Sequence, residues 1–242
     1  MLNQMKKNVL ITGGARRVGR NLALAVAKSG ANVIIHHGHS PIEAQETKTA
    51  IERIGAQAFI VEFDLSDLKN ISNFIIRSEQ FGPLNVIINN ASIFEPFTWD
   101  TCDLSSWSRH IDINLTAPFL ISQAFAKRLP EGESGRIINI LDWRSLRPGA
   151  SHFPYTISKA ALASLTLSLA VALAPRIVVN GLALGAVLRP ADGSDSKDIV
   201  KSIPSGRWAT LGEVEETLLF LINGPEYITG EIIHIDGGRH LV

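Results

Sequence analysis

The chain holds a single cysteine, Cys102. No internal disulfide can form, and a reducing, cytoplasmic setting is expected. Neither sign of charge is in excess, since 23 Lys and Arg balance 23 Asp and Glu. Without a basic surplus, nucleic acid and anionic lipid are not expected partners. The apolar run after Lys7 extends only from Val9 to Ile11, too short for the core of a signal peptide. No run approaches the roughly 20 apolar residues of a membrane span, so no membrane association is expected. The 7 histidines show no HxxxH or carboxylate spacing, and the adjacent His36 and His37 face opposite sides of a predicted strand. No metal is assigned. Acidic residues are also missing between Gly30 and Glu43, an absence that bears on cofactor choice below.

What is present is a β/α alternation. The 242 residues, 45% of them hydrophobic, suit one large domain or two small ones. Strand and helix units repeat without a linker, which favours one. Apolar runs predict strands at Asn8 to Thr12, Asn32 to His37, Gln57 to Phe63 and Asn85 to Ile88. Later runs are the one before Asp142, Ile177 to Asn180 and Glu231 to Ile235. Helices are predicted from Arg17 to Ser29, Pro41 to Ile54, Asp67 to Gln80, Asp103 to Leu129 with a bend at Pro118, Tyr155 to Ala174, and Glu213 to Ile222. The segment from Ala183 to about Trp208 is rich in Gly, Pro and Asp in its first part and reads as a mobile substrate lid.

The first strand runs into Gly13-Gly14-Ala15-Arg16-Arg17-Val18-Gly19 and then a helix. That order suits a dinucleotide site. Glycines let backbone N–H groups approach a pyrophosphate, and the helix N-terminus adds a positive dipole. An NAD site usually carries an acid after the second strand, bonded to the ribose 2′-hydroxyl. Here Arg16, Arg17, His39 and Ser40 stand instead, and cations with hydroxyl donors suit a 2′-phosphate. The expected cofactor is therefore NADPH. Asp64, after the third strand, is placed to accept from an adenine amino group. Its alternative is a helix cap, a task Ser66 or Asp67 would perform better. Asn89-Asn90-Ala91-Ser92 follows the fourth strand, at the edge where open α/β sheets bind ligands.

From Arg136 to Lys159 the chain reads as a buried strand, a loop and a helix start. Tyr155 and Lys159 are four residues apart and share a helix face. A lysine beside a phenol stabilises phenolate, lowers the tyrosine pKa and makes it a usable proton donor. Asp142 lies thirteen residues before Tyr155, at the strand end.

TGGARRVG, NNAS, Asn114 in the next long helix, YTISK and the late IDGG together resemble the short-chain dehydrogenases/reductases. The match spans essentially the whole chain. The resemblance implies a single-domain, doubly wound Rossmann α/β fold with a seven-stranded parallel sheet, and a homotetramer with the apolar helix after Tyr155 in an interface. It implies Tyr155 as proton donor, Lys159 as the group that lowers its pKa and holds the nicotinamide ribose, and Asn114 as support for a relay water. It places the cofactor against Gly13, Arg16, Arg17, Val18, Gly19, His39, Ser40, Asp64, Leu65, Asn90, Ala91, Ser92, Tyr155, Lys159, Gly185 and Val187.

Two departures stand out. Leu184-Gly185 replaces the usual Pro-Gly, and Asp142 replaces the serine that bonds a substrate carbonyl. Ketone reduction builds negative charge on oxygen and wants donors there; an ionised aspartate would repel it. A ring bearing N–H groups or a basic nitrogen suits Asp142 instead. Within the family the pteridine reductases resemble this chain at these points, with Asp for Ser and paired basic residues in the glycine loop. They also carry an aromatic where Phe94 stands, placed to stack the ring on the nicotinamide. Substrate contacts are thus expected from Ser92, Phe94, Asp142 and Tyr155. The expected activity is NADPH-dependent reduction of a dihydropterin or dihydrofolate. The alternatives are a carbonyl reductase of the oxoacyl or alcohol type, and a non-catalytic dinucleotide sensor.

Overall fold

The computed structural model describes residues 6–147, 149–188 and 197–242. Seven parallel strands form one sheet: β1 (Asn8–Ile11), β2 (Asn32–His37), β3 (Ala58–Glu62), β4 (Val86–Asn89), β5 (Gly135–Asp142), β6 (Ile177–Leu184) and β7 (Ile232–Ile235). Their order is β3-β2-β1-β4-β5-β6-β7. The chain starts at the centre, winds outward through β2 and β3, then crosses back to β4. The carboxyl ends of β1 and β4 are therefore the switch point where such sheets bind ligands.

The strands are apolar because helices cover both faces. In β1, Val9 and Ile11 join one core with Val33, Ile35, Leu22, Val26 and Leu218. Those partners come from β2, α1 (Arg17–Lys28) and α8 (Leu211–Asn223). Leu10 points the other way, to Ile34, Ile87, Phe74, Phe125 and Leu169. The helices on that face are α3 (Ile71–Ser78), α5 (Ala117–Arg128) and α6 (Phe153–Leu173). Period-two alternation in each strand thus builds two cores at once.

Several boundaries differ from the sequence expectation. The single helix from Asp103 to Leu129 is α4 (Leu104–Ile111), a π turn (Asp112–Thr116) and α5. The irregularity precedes Pro118, at a widened turn that carries Asn114; such turns interrupt the regular ladder and favour functional sites. β6 runs on to Leu184, past Gly181. A Cβ at Gly181 would fall 2.6 Å from Leu141 Cδ1, so glycine here admits a neighbouring side chain rather than ending the strand. Ala183 and Leu184 therefore belong to the sheet, not to a lid. The later segment contains a short α7 (Lys197–Lys201), and positions 189–196 of the expected lid lie outside the described residues. The helix expected from Asp67 is a 3₁₀ turn (Leu68–Asn70) followed by α3.

α6 is 21 residues long, and by length and composition alone it could cross a membrane. That differs from the expectation that no run approaches a span. Its packing is that of a core helix: Tyr155, Ser158, Lys159, Leu162, Thr166 and Leu169 are buried, and Lys159 donates to the β5 carbonyl of Ile140 at 2.7 Å.

Candidate active site

The glycine turn after β1 sets the cleft floor. Gly13 has φ +63°, a conformation glycine adopts without a side-chain clash. A Cβ at Gly19 would fall 2.1 Å from the Gly13 carbonyl oxygen, so α1 starts flush against the turn only with glycine there. Arg17 also has a positive φ, 53°. Such backbone in a non-glycine residue costs about 1–3 kcal/mol and clusters at ligand clamps.

His36, at the end of β2, supports this turn. Its Nδ1 accepts from Gly13 N–H at 3.0 Å, and its Nε2 meets the Phe63 carbonyl at 2.9 Å. Both bonds are made at once only by the neutral Nε2–H tautomer. Burial pulls the His36 pKa down to about 4. The unfolded chain takes up a proton near pH 6.5 while the folded one does not, so stability falls as pH drops from about 6.5 to about 4. The loss is about 3 kcal/mol from this group. Urea unfolding across that window should show a slope that His36→Gln reduces; an unchanged slope would refute the assignment. Spacing along the chain shows His36 at the end of a strand, beginning the segment to Ser40 that resembles the pteridine reductases, and does not show its bond to Gly13.

One cleft of about 1120 Å³ runs from this turn across the carboxyl ends of the strands. Its first part is lined by Gly13, Arg16, Arg17, Val18, Gly19, His39, Ser40, Asp64, Leu65, Asn90, Ala91 and Ser92. Its second part is lined by Phe94, Asp142, Tyr155, Lys159, Gly185 and Val187, together with Trp143, Arg144, Trp208 and Arg239. Asn90 is tied to the turn, its Nδ2 donating to the carbonyls of Thr12 at 2.8 Å and Gly13 at 3.1 Å. Asp64 Oδ1 accepts from Ser66 N–H at 2.9 Å, closing a local turn, and that bond lowers the Asp64 pKa. Among the described residues no group of three or more His, Cys, Asp or Glu gathers in metal-binding geometry.

Asp142 ends β5 and caps the 3₁₀ turn Trp143–Leu146. Its Oδ1 accepts from Arg144 N–H at 2.9 Å, and Ser145 Oγ accepts from Asp142 N–H at 3.1 Å. Asp142 and Ser145 thus exchange the bonds of a capping box, although Asp-Trp-Arg-Ser departs from its usual Ser/Thr-x-x-Glu/Gln spelling. Arg144 Nη1 adds a bond to Oδ1 at 3.3 Å. Oδ2 accepts the Tyr155 hydroxyl at 3.1 Å. The structure thus joins Asp142 and Tyr155 directly.

The expected sense of the Tyr155 shift is reversed. Burial, then the Asp142 charge and hydrogen bond, hold the phenol well above its ordinary value, with Arg144 opposing. Lys159 Nζ lies 5.9 Å from the Tyr155 ring centre and donates to Ile140 O instead. Burial lowers Lys159 itself to about 8, with Asp142 opposing. A buried phenol beside a carboxylate keeps its proton, and a lysine across the ring does not offset that.

Asn114 is fully buried and outside the cleft lining. Its Oδ1 accepts from Ile93 N–H at 2.9 Å. Its Nδ2 donates to Ile93 O and to Ser158 Oγ, both at 3.0 Å. The amide therefore clamps the Phe94 loop to α6, and a relay water would have to meet main-chain atoms. Ser92 is exposed at the cleft, its Oγ donating to Ile93 O at 3.3 Å. Phe94 stands 52% exposed, edge-on to Tyr155 at 4.6 Å and stacked on His152 at 3.9 Å. Arg109 and Glu95 pair beside it. His152, Ser158 and Arg144 were not singled out from the sequence. Arg144 stands two residues from its partner Asp142, but His152 meets Phe94 and Ser158 meets Asn114 across elements, so spacing along the chain does not mark those two.

A family model described as "short chain dehydrogenase" matches residues 7–199. A solved structure of FolM alternative dihydrofolate reductase 1 from Brucella canis, complexed with NADP, is 35% identical with a TM-score of 0.89. It covers 98% of this chain and 95% of its own. The 3-oxoacyl-[acyl-carrier-protein] reductase of Synechocystis is 30% identical over 234 residues, 95% of each chain. The 5-keto-D-gluconate 5-reductase of Escherichia coli K12 is 31% identical over 244 residues, 96% of this chain and 94% of its own. With the glycine turn, the Tyr155–Lys159 pair and the seven-stranded parallel sheet in one cleft-bearing domain, the chain belongs to the short-chain dehydrogenase family and is an oxidoreductase.

Proposed function

We propose that this enzyme reduces the ring of a dihydropterin or dihydrofolate. The observation that carries the reading is the 3.1 Å bond from the Tyr155 hydroxyl to Asp142 inside the cleft. It sets a proton donor and a carboxylate acceptor side by side, where ketone reduction needs donors alone. An aminopyrimidine edge presents N–H groups that a carboxylate can receive. The cofactor is NADP(H); among the similar structures, FolM from Brucella canis is complexed with NADP. Arg16, Arg17, His39 and Ser40 line its expected end of the cleft, and no acid follows β2 to take a ribose 2′-hydroxyl or repel a 2′-phosphate. NADPH supplies the hydride, to an electrophilic ring carbon.

The chain's own residues do the rest. Phe94, backed by His152, offers an aromatic surface to a flat ring. Asp142 orients that ring through its N–H edge. Tyr155, protonated through neutral pH, holds the proton that the ring nitrogen takes, directly or through a water bonded to Asp142. Lys159, which donates to Ile140 O, would hold a ribose hydroxyl. The exposed apolar side chains of α6, Ile157, Leu167 and Val171, suit a homotetramer interface. Light scattering of the intact enzyme tests that, and a monomer would refute it.

A ketone-reducing activity is the second reading, favoured by the similarity to 3-oxoacyl and keto-gluconate reductases. NADPH oxidation with a panel of dihydropterins, dihydrofolate, quinones and ketones separates the two. Dihydropterins or dihydrofolate should be turned over; ketones turned over with every pterin inert would end the first reading. NADPH should bind at least about tenfold tighter than NADH, the worth of one charge-assisted bond. Equal dissociation constants would refute the 2′-phosphate assignment.

A further inference from the structure

Three guanidinium groups converge on one indole at the cleft wall. Arg239 stands 4.1 Å from the Trp143 ring centre, Arg144 4.8 Å and Arg147 5.8 Å. Arg144 is also 5.8 Å from the Phe94 ring centre, so the cluster begins where the aromatic surface ends. Arg144, Trp143 and Arg239 line the same cleft as Phe94, Asp142 and Tyr155. Two elements far apart in the chain build it. One is the 3₁₀ turn after β5; the other is the C-terminal turn Arg239–Leu241. Arg147 Nη1 donates to Arg239 O at 3.2 Å and joins them.

The cluster has more cation than carboxylate. Asp142 serves Arg144 and already accepts from Tyr155. Among the described residues, neither Arg147 nor Arg239 has a carboxylate within ion-pair distance. The Arg239 Nε is buried without a partner, an arrangement that folded proteins rarely leave unexplained. Burial pulls the Arg239 pKa down, and Arg144 and Arg147 add to that, against Asp142 and Asp236. Like charges gathered on one ring repel, and an anion among them removes the repulsion. Guanidinium forks match carboxylates and phosphates, and a carboxylate is the anion that a folate-type tail carries.

We propose that Arg239 and Arg147, both gathered on Trp143, form a carboxylate subsite for the tail of the substrate. The enzyme then prefers a dihydrofolate-type substrate, whose benzoyl-glutamate tail is anionic, to a dihydropterin with an uncharged side chain. The identity of the ring rests on the function proposed above; the anion subsite does not.

The test has a kinetic and a binding arm. In the kinetic arm the ratio of kcat/KM for dihydrofolate to that for dihydrobiopterin is measured in wild type and in Arg239→Gln. The ratio should fall about tenfold in the variant, partly recover in Arg239→Lys, and fall in wild type as NaCl is raised. A ratio unmoved by both substitution and salt overturns the subsite. In the binding arm 4-aminobenzoyl-glutamate, the tail without the ring, is titrated by NMR into the enzyme–NADP⁺ complex. It should bind wild type and lose affinity about tenfold in Arg239→Gln. Tail binding with no turnover of any pterin or folate keeps the subsite and removes the ring assignment. Pterin turnover with no tail binding does the reverse. If Arg239→Gln does not fold, the wild-type salt dependence and tail titration decide.

Discussion

Asp142→Ser should lower kcat/KM for the dihydropterin substrate by about a hundred- to a thousandfold. That is the usual effect of removing one charged or donor group from a reacting centre, about 2.7–4 kcal/mol. Two contributions add. The carboxylate that would receive the ring N–H groups is gone, and Tyr155 loses the partner that orients its hydroxyl at 3.1 Å. The fold should survive. Serine is a competent N-cap, and the bond from Asp142 N–H to Ser145 Oγ uses the main chain. The substitution also removes two of the influences that raise Tyr155, so any limb of the pH profile belonging to this phenol should move to lower pH. Ketone reduction should rise, because a hydroxyl donor now faces the substrate. Pterin turnover that survives intact, with an unmoved pH profile, would show that Asp142 only caps its turn.

Tyr155→Phe should cut kcat by about a hundred- to ten-thousandfold, the range of a lost general acid, with KM little changed. Phenylalanine keeps the ring edge-on to Phe94 at 4.6 Å and removes only the hydroxyl. Asp142 retains its three bonds from Arg144, so no buried carboxylate is stranded. Stopped-flow measurement of hydride transfer separates this loss from product release. More than about a tenth of wild-type kcat remaining would place the proton on a water bonded to Asp142 rather than on Tyr155. The raised pKa bears on this directly. A phenol held neutral through the physiological range is always loaded with its proton, but it is a weaker acid than one lowered by a lysine, so the developing basic nitrogen must draw the proton from it.

The β/α alternation and most strand positions were legible because each rests on local periodicity. Where boundaries failed, a tertiary contact was responsible. Gly181 reads as a strand end until Leu141 is seen filling its place. Pro118 reads as the bend, yet the π turn lies before it. The capping box at Asp142 spans four consecutive residues, but Asp-Trp-Arg-Ser departs from the usual Ser/Thr-x-x-Glu/Gln spelling, so its structural role shows only in the folded turn.

The glycine turn, the Tyr155–Lys159 spacing, the missing acid after β2 and the presence of Asp142 are properties of the linear chain. Together they establish a nicotinamide-dependent reductase with an unusual acid at the strand end. The direction of the Tyr155 shift is not a linear property. It depends on how deeply the phenol is buried and on which charge lies nearest, and folding puts Asp142 on the hydroxyl while Lys159 turns to Ile140 O. The support of Gly13 by His36, the clamping of the Phe94 loop by Asn114, and the meeting of Arg239 with Trp143 arise the same way. Each joins residues at least 21 positions apart. Electrostatic and hydrogen-bonding energies depend on distance and solvent exposure in space, and only the folded chain defines either.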